Sequence, residues 1–143
     1  IIHAESKTQG RGQQGKKWIS SKGNLFMTIF FKINKNYSLK VLTKNNCKIV
    51  KKSLEKIIKE KITIKEPNDI LVKNQKLCGI LQETIFFGLN KLIIVGIGVN
   101  ITKSPKIKGY KTTFLNNFTN KEIDKAKVLK SISKQFEKNI RFS

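Results

Sequence analysis

The sequence is poor in the residues that build metal centres and nucleophilic sites. Cys47 and Cys78 are its only cysteines, without a Cys-x-x-Cys spacing, and His3 is its only histidine. Such a set cannot supply a zinc site, and the cysteines read as ordinary reduced thiols. One imidazole without a partner carries no catalytic arrangement, so His3 is expected to be structural or incidental. Long apolar runs are also missing, and the first residues lack the charged, apolar, small-residue order of a signal peptide. The expectation is a soluble cytoplasmic protein with no membrane partner. At 143 residues the chain fits one domain with a core of its own, and its start at Ile1 instead of Met is expected of a fragment or a processed product.

Acidic residues are scarce as well: 9 against 30 basic ones give a formal net charge of +21. Arginine occurs only at Arg11 and Arg141, so 30 − 2 = 28 of the basic residues are lysine, spread through every segment among many Ile and Asn. That bias is what an A/T-rich coding sequence produces, and it forms no single basic stripe. A dedicated nucleic-acid face is therefore not expected, although the excess charge should attract an acidic macromolecule.

What is present is a regular alternation of strand and helix signals. Ile1 to Ala4 reads as the end of a strand, and Leu25 to Phe31 as a complete one. Ser38 is a good N-cap for a helix whose apolar residues, Leu39, Leu42, Cys47, Val50, Leu54, Ile57 and Ile58, follow helical spacing. Ile62 to Ile64 is a short strand and Pro67-Asn68-Asp69 a turn. Ile70 to Val72 pairs with Leu77 to Thr84 across Lys73-Asn74-Gln75, and Lys91 to Ile101 is the strongest strand. After a loop to Asn117, Thr119-x-x-Glu122 offers a capping box for a second helix, with Ala126, Leu129, Ile132, Phe136 and Ile140 along its stripe. The expected fold class is α+β: a mainly antiparallel sheet with amphipathic helices packed on one side.

The stretch Gly10 to Trp18, GRGQQGKKW, fits two phosphate-loop patterns as text: Gly-x-Gly-x-x-Gly, and a P-loop with Lys17 where Ser or Thr should stand. Both need a helix opening directly from the loop to supply amide donors. Here turn residues Ser20 to Asn24 follow, and then a strand, so the loop joins strand to strand and neither pattern applies.

Within Lys91 to Ile101, Ile93, Val95, Ile97 and Val99 take one face while Ile94, Gly96, Gly98 and Asn100 take the other. Two glycines and an asparagine on one face leave a trough where a flat ligand can lie on backbone; close helix packing or a bulge is the alternative. Lys76 leads awkwardly into the apolar run Leu77-Cys78-Gly79-Ile80-Leu81 and is near Asn68 and Asp69 in sequence. A cation, an amide, a carboxylate and open backbone brought together would suit a polyanion and its magnesium; Asp69 has the alternative of capping the turn after Pro67.

Four motifs in this order, GRGQQGKKW, KEPND, KLCGIL and VGIGVN, resemble the catalytic domain of biotin protein ligases, whose patterns run approximately GRGRxGRxW, KWPND, K[LV]xGIL and GxGxN. The resemblance covers most of residues 4 to 101 and continues less specifically through the helical remainder to 143. It implies the sheet shared with class II aminoacyl-tRNA synthetases, and ATP, biotin and Mg2+ as substrates and cofactor. The reaction it implies passes through biotinyl-5′-AMP to a lysine of a biotin carboxyl carrier protein domain. Carried over residue by residue, Lys76 binds the reacting carboxylate and phosphate oxygens, Arg11 holds biotin and closes the loop, and Asp69 with Asn68 orders Lys76 and the phosphate or magnesium. Gly10, Gly12 and Gly15 form the adenylate loop, Trp18 offers its ring to adenine, Asn100 lies beside that base, and the Gly79 backbone meets biotin.

The chain departs from those patterns at named places. Gln13 takes the position of the loop's second arginine, Lys7 that of a glutamine on the biotin ring, Glu66 that of an aromatic before Pro67, and Lys16 that of another arginine. The Ser/Thr-Thr-Asn segment expected upstream, the small C-terminal β domain and an N-terminal helix-turn-helix are not in the sequence. A lipoate-type ligase, or a basic RNA- or carrier-binding module without turnover, are the alternative functions.

Overall fold

The computed structural model describes residues 1–4, 10–33 and 37–140; Lys7, Gln9 and Arg141 lie outside the described residues. Six strands form one sheet: β1 (Ile2–Ala4), β2 (Leu25–Ile33), β3 (Ile62–Lys65), β4 (Asp69–Val72), β5 (Gln75–Phe87) and β6 (Asn90–Val99). Their order is β1-β2-β6-β5-β4-β3, and every neighbouring pair is antiparallel. Two helices, α1 (Leu39–Leu54) and α2 (Lys125–Ile140), pack on each other; α1 meets β3 and β4, and α2 meets β2. This is the expected α+β arrangement, with one sheet face covered by helices. No helix among the described residues is long and apolar enough to cross a membrane.

The alternation in β6 decides which face is which. Ile93, Val95, Ile97 and Val99 are at most 1% exposed and belong to the core with Leu25, Met27, Val50, Leu54, Ile132 and Phe136. Each such side chain contributes about 1.5–3 kcal/mol of burial. That leaves Gly96, Gly98 and Asn100 on the opposite face, as their parity requires. The β4–β5 hairpin turns on Lys73 and Asn74, with φ of 49° and 60°, a two-residue turn of the kind that matches strand twist. Gln75 already pairs with Val72, so it belongs to β5 and not to the turn.

The helices differ from expectation at their ends. Ser38 does cap α1, its hydroxyl accepting from the Val41 amide, but the helix stops at Leu54. The Ile57 and Ile58 amides both turn back onto the Leu54 carbonyl, which buries Ile58 without continuing the helix. Leu39, in the first turn, is 42% exposed. Helix α2 begins at Lys125, not after Thr119. The Thr119 hydroxyl donates to the Lys121 carbonyl, and the Ile123 amide donates to the Asn116 side chain, bonds that go with a non-helical path over residues 119–124. Asp124 takes that role: its carboxylate accepts from the Ala126 amide and its carbonyl from Val128. The buried stripe is consequently Val128, Ile132 and Phe136, and Ala126 faces outward.

Candidate active site

The face of the sheet not covered by helices carries a cavity of about 800 Å³. Its wall contains the cations Arg11, Lys16, Lys17, Lys65, Lys76 and Lys108 against two carboxylates, Glu66 and Asp69, so its field favours an anion. The Glu66 carboxylate is already paired with Lys44 of α1 at 3.1 Å, and that hydrogen bond and charge hold its pKa below the ordinary value.

Lys76 reaches this cavity because of a register defect. Ile70 pairs with Cys78 and Leu71 with Lys76, so Leu77 is an extra residue in β5. Simple alternation from Gly79 would put Leu77 on the open face and Lys76 in the core. The bulge reverses that parity: Leu77 and Cys78 are both fully buried, and Lys76 lies on the same side as Gly79, where an added Gly79 Cβ would stand 3.2 Å from the Lys76 Cε. Bulges bend a strand and re-aim a side chain in this way. The awkward charge before an apolar run is the mark of that bulge. Its backbone groups are satisfied from the segment 100–113: the Leu77 carbonyl accepts from Asn100, the Lys76 amide donates to the Lys111 carbonyl, and the Lys76 carbonyl accepts from Thr113.

The Lys76 ammonium sits 2.7 Å from Asp69 Oδ1, and the Tyr110 hydroxyl donates to Asp69 Oδ2 at 2.6 Å. Asp69 is opposite Gly79 in the β4–β5 ladder, which places its side chain over the same trough. Burial, followed by the hydrogen bond to Asp69 and that carboxylate's charge, pushes the Tyr110 phenol well above its ordinary pKa, so it remains a donor at neutral pH. Tyr110 was not among the residues singled out from sequence. The only local signal is an aromatic after Gly109 in a turn, where Gly109 has a φ of 76° and the Tyr110 amide bonds Ile107.

The glycine trough exists, and Trp18 lies in it. Gly79 and Gly98 are directly paired across β5 and β6. A Cβ on either would come within 2.5 Å of the Trp18 ring. The Lys76 ammonium is 5.1 Å from the indole centroid, within cation–π range. Among the described residues the buried indole Nε1 has no hydrogen-bond partner, and an orphan donor of this kind costs about 1–3 kcal/mol. Gly96, by contrast, leaves room: the nearest atom to an added Cβ is 3.6 Å away.

The glycine loop is a small hairpin closed on itself. Trp18 donates its amide to the Gly10 carbonyl, Gly12 to Lys16, and Lys16 to Gln13, around a turn over Gln13–Gly15. Gly10 is required because a Cβ would strike the Trp18 carbonyl at 2.5 Å, and Gly15 because its φ is 72°. Arg11 is exposed and lines the cavity; among the described residues it has no ion pair.

Asn68 and Asn100 are brought to the wall with their amides committed to the scaffold. Asn68 Nδ2 donates to the Ile80 carbonyl at 2.7 Å, and Asn100 Nδ2 to the Thr113 carbonyl at 3.1 Å. Asn100 is joined by the buried Asn24, whose side chain ties Ile101, Thr102 and Lys103 to the start of β2. The described residues contain no group of three or more metal-ligating side chains. The two Asp69 oxygens are turned to Lys76 and to Tyr110. Cys47, pushed up to about 11 chiefly by burial, and Cys78, also raised by burial, are thiols held neutral.

Comparison with known proteins gives a consistent answer. The family model for the biotin/lipoate A/B protein ligase family matches residues 1–100. The bifunctional ligase/repressor BirA of Bacillus subtilis is 30% identical over 99% of this chain and 46% of its own length. The biotin protein ligase of Aquifex aeolicus, solved in complex with biotin and ATP, superposes with a TM-score of 0.83 at 29% identity, over 97% of this chain and 59% of that one. The Leishmania major biotin protein ligase, solved with biotinyl-5-AMP, gives 0.80 at 25% identity over 93% of this chain and 61% of that one. The chain thus spans about half the length of the curated relative it matches. It belongs to the biotin/lipoate A/B protein ligase family.

Proposed function

We propose that the chain carries the catalytic unit of a cytoplasmic biotin protein ligase. The observation that carries this reading is the placement of Lys76, held by Asp69 and turned by the bulge onto the glycine trough, on the wall of a cation-lined cavity. In the proposed reaction a carboxylate oxygen of biotin attacks the α-phosphorus of ATP. A C–O–P anhydride forms, the bond to the β-phosphate oxygen breaks, and pyrophosphate leaves. A carrier-domain lysine amine then attacks the acyl carbon, forming the amide and releasing AMP. Two anions must approach one another in the first step, so a fixed cation beside the reacting oxygens lowers the barrier more than any general base would. Lys76 supplies that charge, Arg11 a second one from the loop, and Trp18 a flat apolar wall. Magnesium would arrive on the nucleotide phosphates and offset part of their charge. The net charge of +21 favours encounter with an acidic carrier domain.

Biotin-dependent exchange of labelled pyrophosphate into ATP is the test. Exchange with biotin and not with lipoate is the expected result. Exchange with lipoate alone would make this a lipoate-type ligase. No exchange with either acid, together with salt-sensitive RNA binding, would make it a binding module.

A further inference from the structure

Tyr110 stands where the segment 100–113 and the Asp69–Lys76 pair converge. Its hydroxyl donates to one Asp69 oxygen at 2.6 Å, while the other oxygen is 2.7 Å from the Lys76 ammonium. Its ring lies 5.7 Å from that ammonium and 4.9 Å from the Lys65 ammonium. The same segment holds the Lys76 backbone on both sides, through Lys111 and Thr113, and runs parallel to it at Thr112. One stretch of chain therefore fixes both the main chain and the side-chain partner of the lysine.

A carboxylate facing a lone lysine is free to turn both oxygens toward it, which neutralises the cation more completely. A phenol that takes one oxygen prevents this. We infer that Tyr110 is a positioning residue of the site: by holding Asp69 Oδ2 it restricts the carboxylate to a single oxygen on Lys76 and keeps that ammonium available to an anionic ligand. The inference rests on the reading of Lys76 given under Proposed function, but its consequence for the lysine is independent of turnover. The phenol stays protonated because burial and Asp69 both oppose its ionisation, so the restraint persists at neutral pH.

Tyr110→Phe removes the hydroxyl and keeps the ring and its packing. Two readouts on the full protein test it. The first is the acetylation rate of Lys76 by limiting acetic anhydride, followed by mass spectrometry relative to an exposed lysine. With both Asp69 oxygens free to turn onto Lys76, its rate should fall by about two- to fivefold, and Asp69→Asn in the same background should abolish the difference. A loosened segment would raise the rate, and an incidental hydroxyl would leave it unchanged; either result overturns the inference. The second is biotin-dependent pyrophosphate exchange, where kcat should fall by about tenfold with the KM for ATP within about twofold. A rise in KM with kcat preserved would also overturn it. If the wild-type protein shows no exchange, the ligase reading fails, and the acetylation result alone decides the role of Tyr110.

Discussion

The loop from Gly10 to Trp18 bonds mainly to itself, whereas the segment from Asn100 to Thr113 bonds to the sheet. Both border the same cavity. The first is closed by hydrogen bonds from the Trp18 amide to the Gly10 carbonyl and from the Gly12 amide to the Lys16 carbonyl, and sends one side chain, Trp18, into the trough. The second satisfies the backbone of the Lys76 bulge and places Tyr110 on Asp69. A self-contained hairpin moves as a unit at little cost in bonds to the rest of the protein; a segment stitched into a bulge does not. The difference separates a lysine fixed through its backbone from a loop bonded mainly to itself. It also gives the family's glycine loop a physical reason: its glycines permit tight closure at Gly10 and a positive φ at Gly15, and do not cradle a phosphate at a helix N-terminus.

The largest effect is expected where the fixed side is broken. Lys76→Ala should lower biotin-dependent pyrophosphate exchange by about 100- to 1,000-fold while leaving the melting temperature close to that of the wild type, because the bulge is held by backbone bonds. Wild-type exchange in this variant would remove Lys76 from the mechanism, and a collapsed melting temperature would make it structural.

Next comes the contact between cover and trough. Trp18 is the only tryptophan, so its fluorescence reports this contact alone. Gly98→Ala places a methyl where the ring now lies and should expel it, shifting emission to the red and destabilising the fold by roughly 1–3 kcal/mol. Gly96→Ala is the control, since its added methyl meets only ordinary contacts. Equal spectra for the two variants would mean that the indole does not rest on Gly98 in solution.

The smallest effect belongs to the cover's charge. Glutamine at position 13 offers neutral hydrogen bonds, roughly half as strong as the charge-assisted bonds of an arginine. Gln13→Arg should therefore retain biotinyl-AMP better and reduce biotin labelling of a bystander protein by about threefold at matched rates of adenylate formation. Equal labelling would show that other contacts retain the intermediate.

Much of this architecture is legible in the sequence. The alternation Ile93, Val95, Ile97, Val99 against Gly96, Gly98 and Asn100 has one outcome once a single face is buried, and Ser38 with the α1 stripe needs only local information. What escaped was non-local. The cap of α2 is Asp124 and not Thr119, because the stretch 119–124 is tied back to Asn116 and Lys121 and the Asp124 carboxylate takes the Ala126 amide. Lys76 was selected for its unusual place, but the bulge that turns it outward is a property of the β4–β5 register, not of either strand alone. Tyr110 joins Asp69 across 41 residues, and nothing in its own neighbourhood announces the partner. The contact of the Trp18 ring with Gly79 and Gly98 is non-local in the same way, joining the loop to two strands far along the chain.

Hydrogen exchange read by mass spectrometry, with and without biotinyl-AMP, tests the central claim directly: that a movable glycine loop closes over an adenylate held against a fixed lysine. Peptides covering residues 10–18 should exchange quickly in the free protein and slow by about tenfold or more with the adenylate bound, while those covering 107–115 should be slow in both states. Unchanged exchange at 10–18, or protection appearing at 107–115 and not at the glycine loop, would contradict the account.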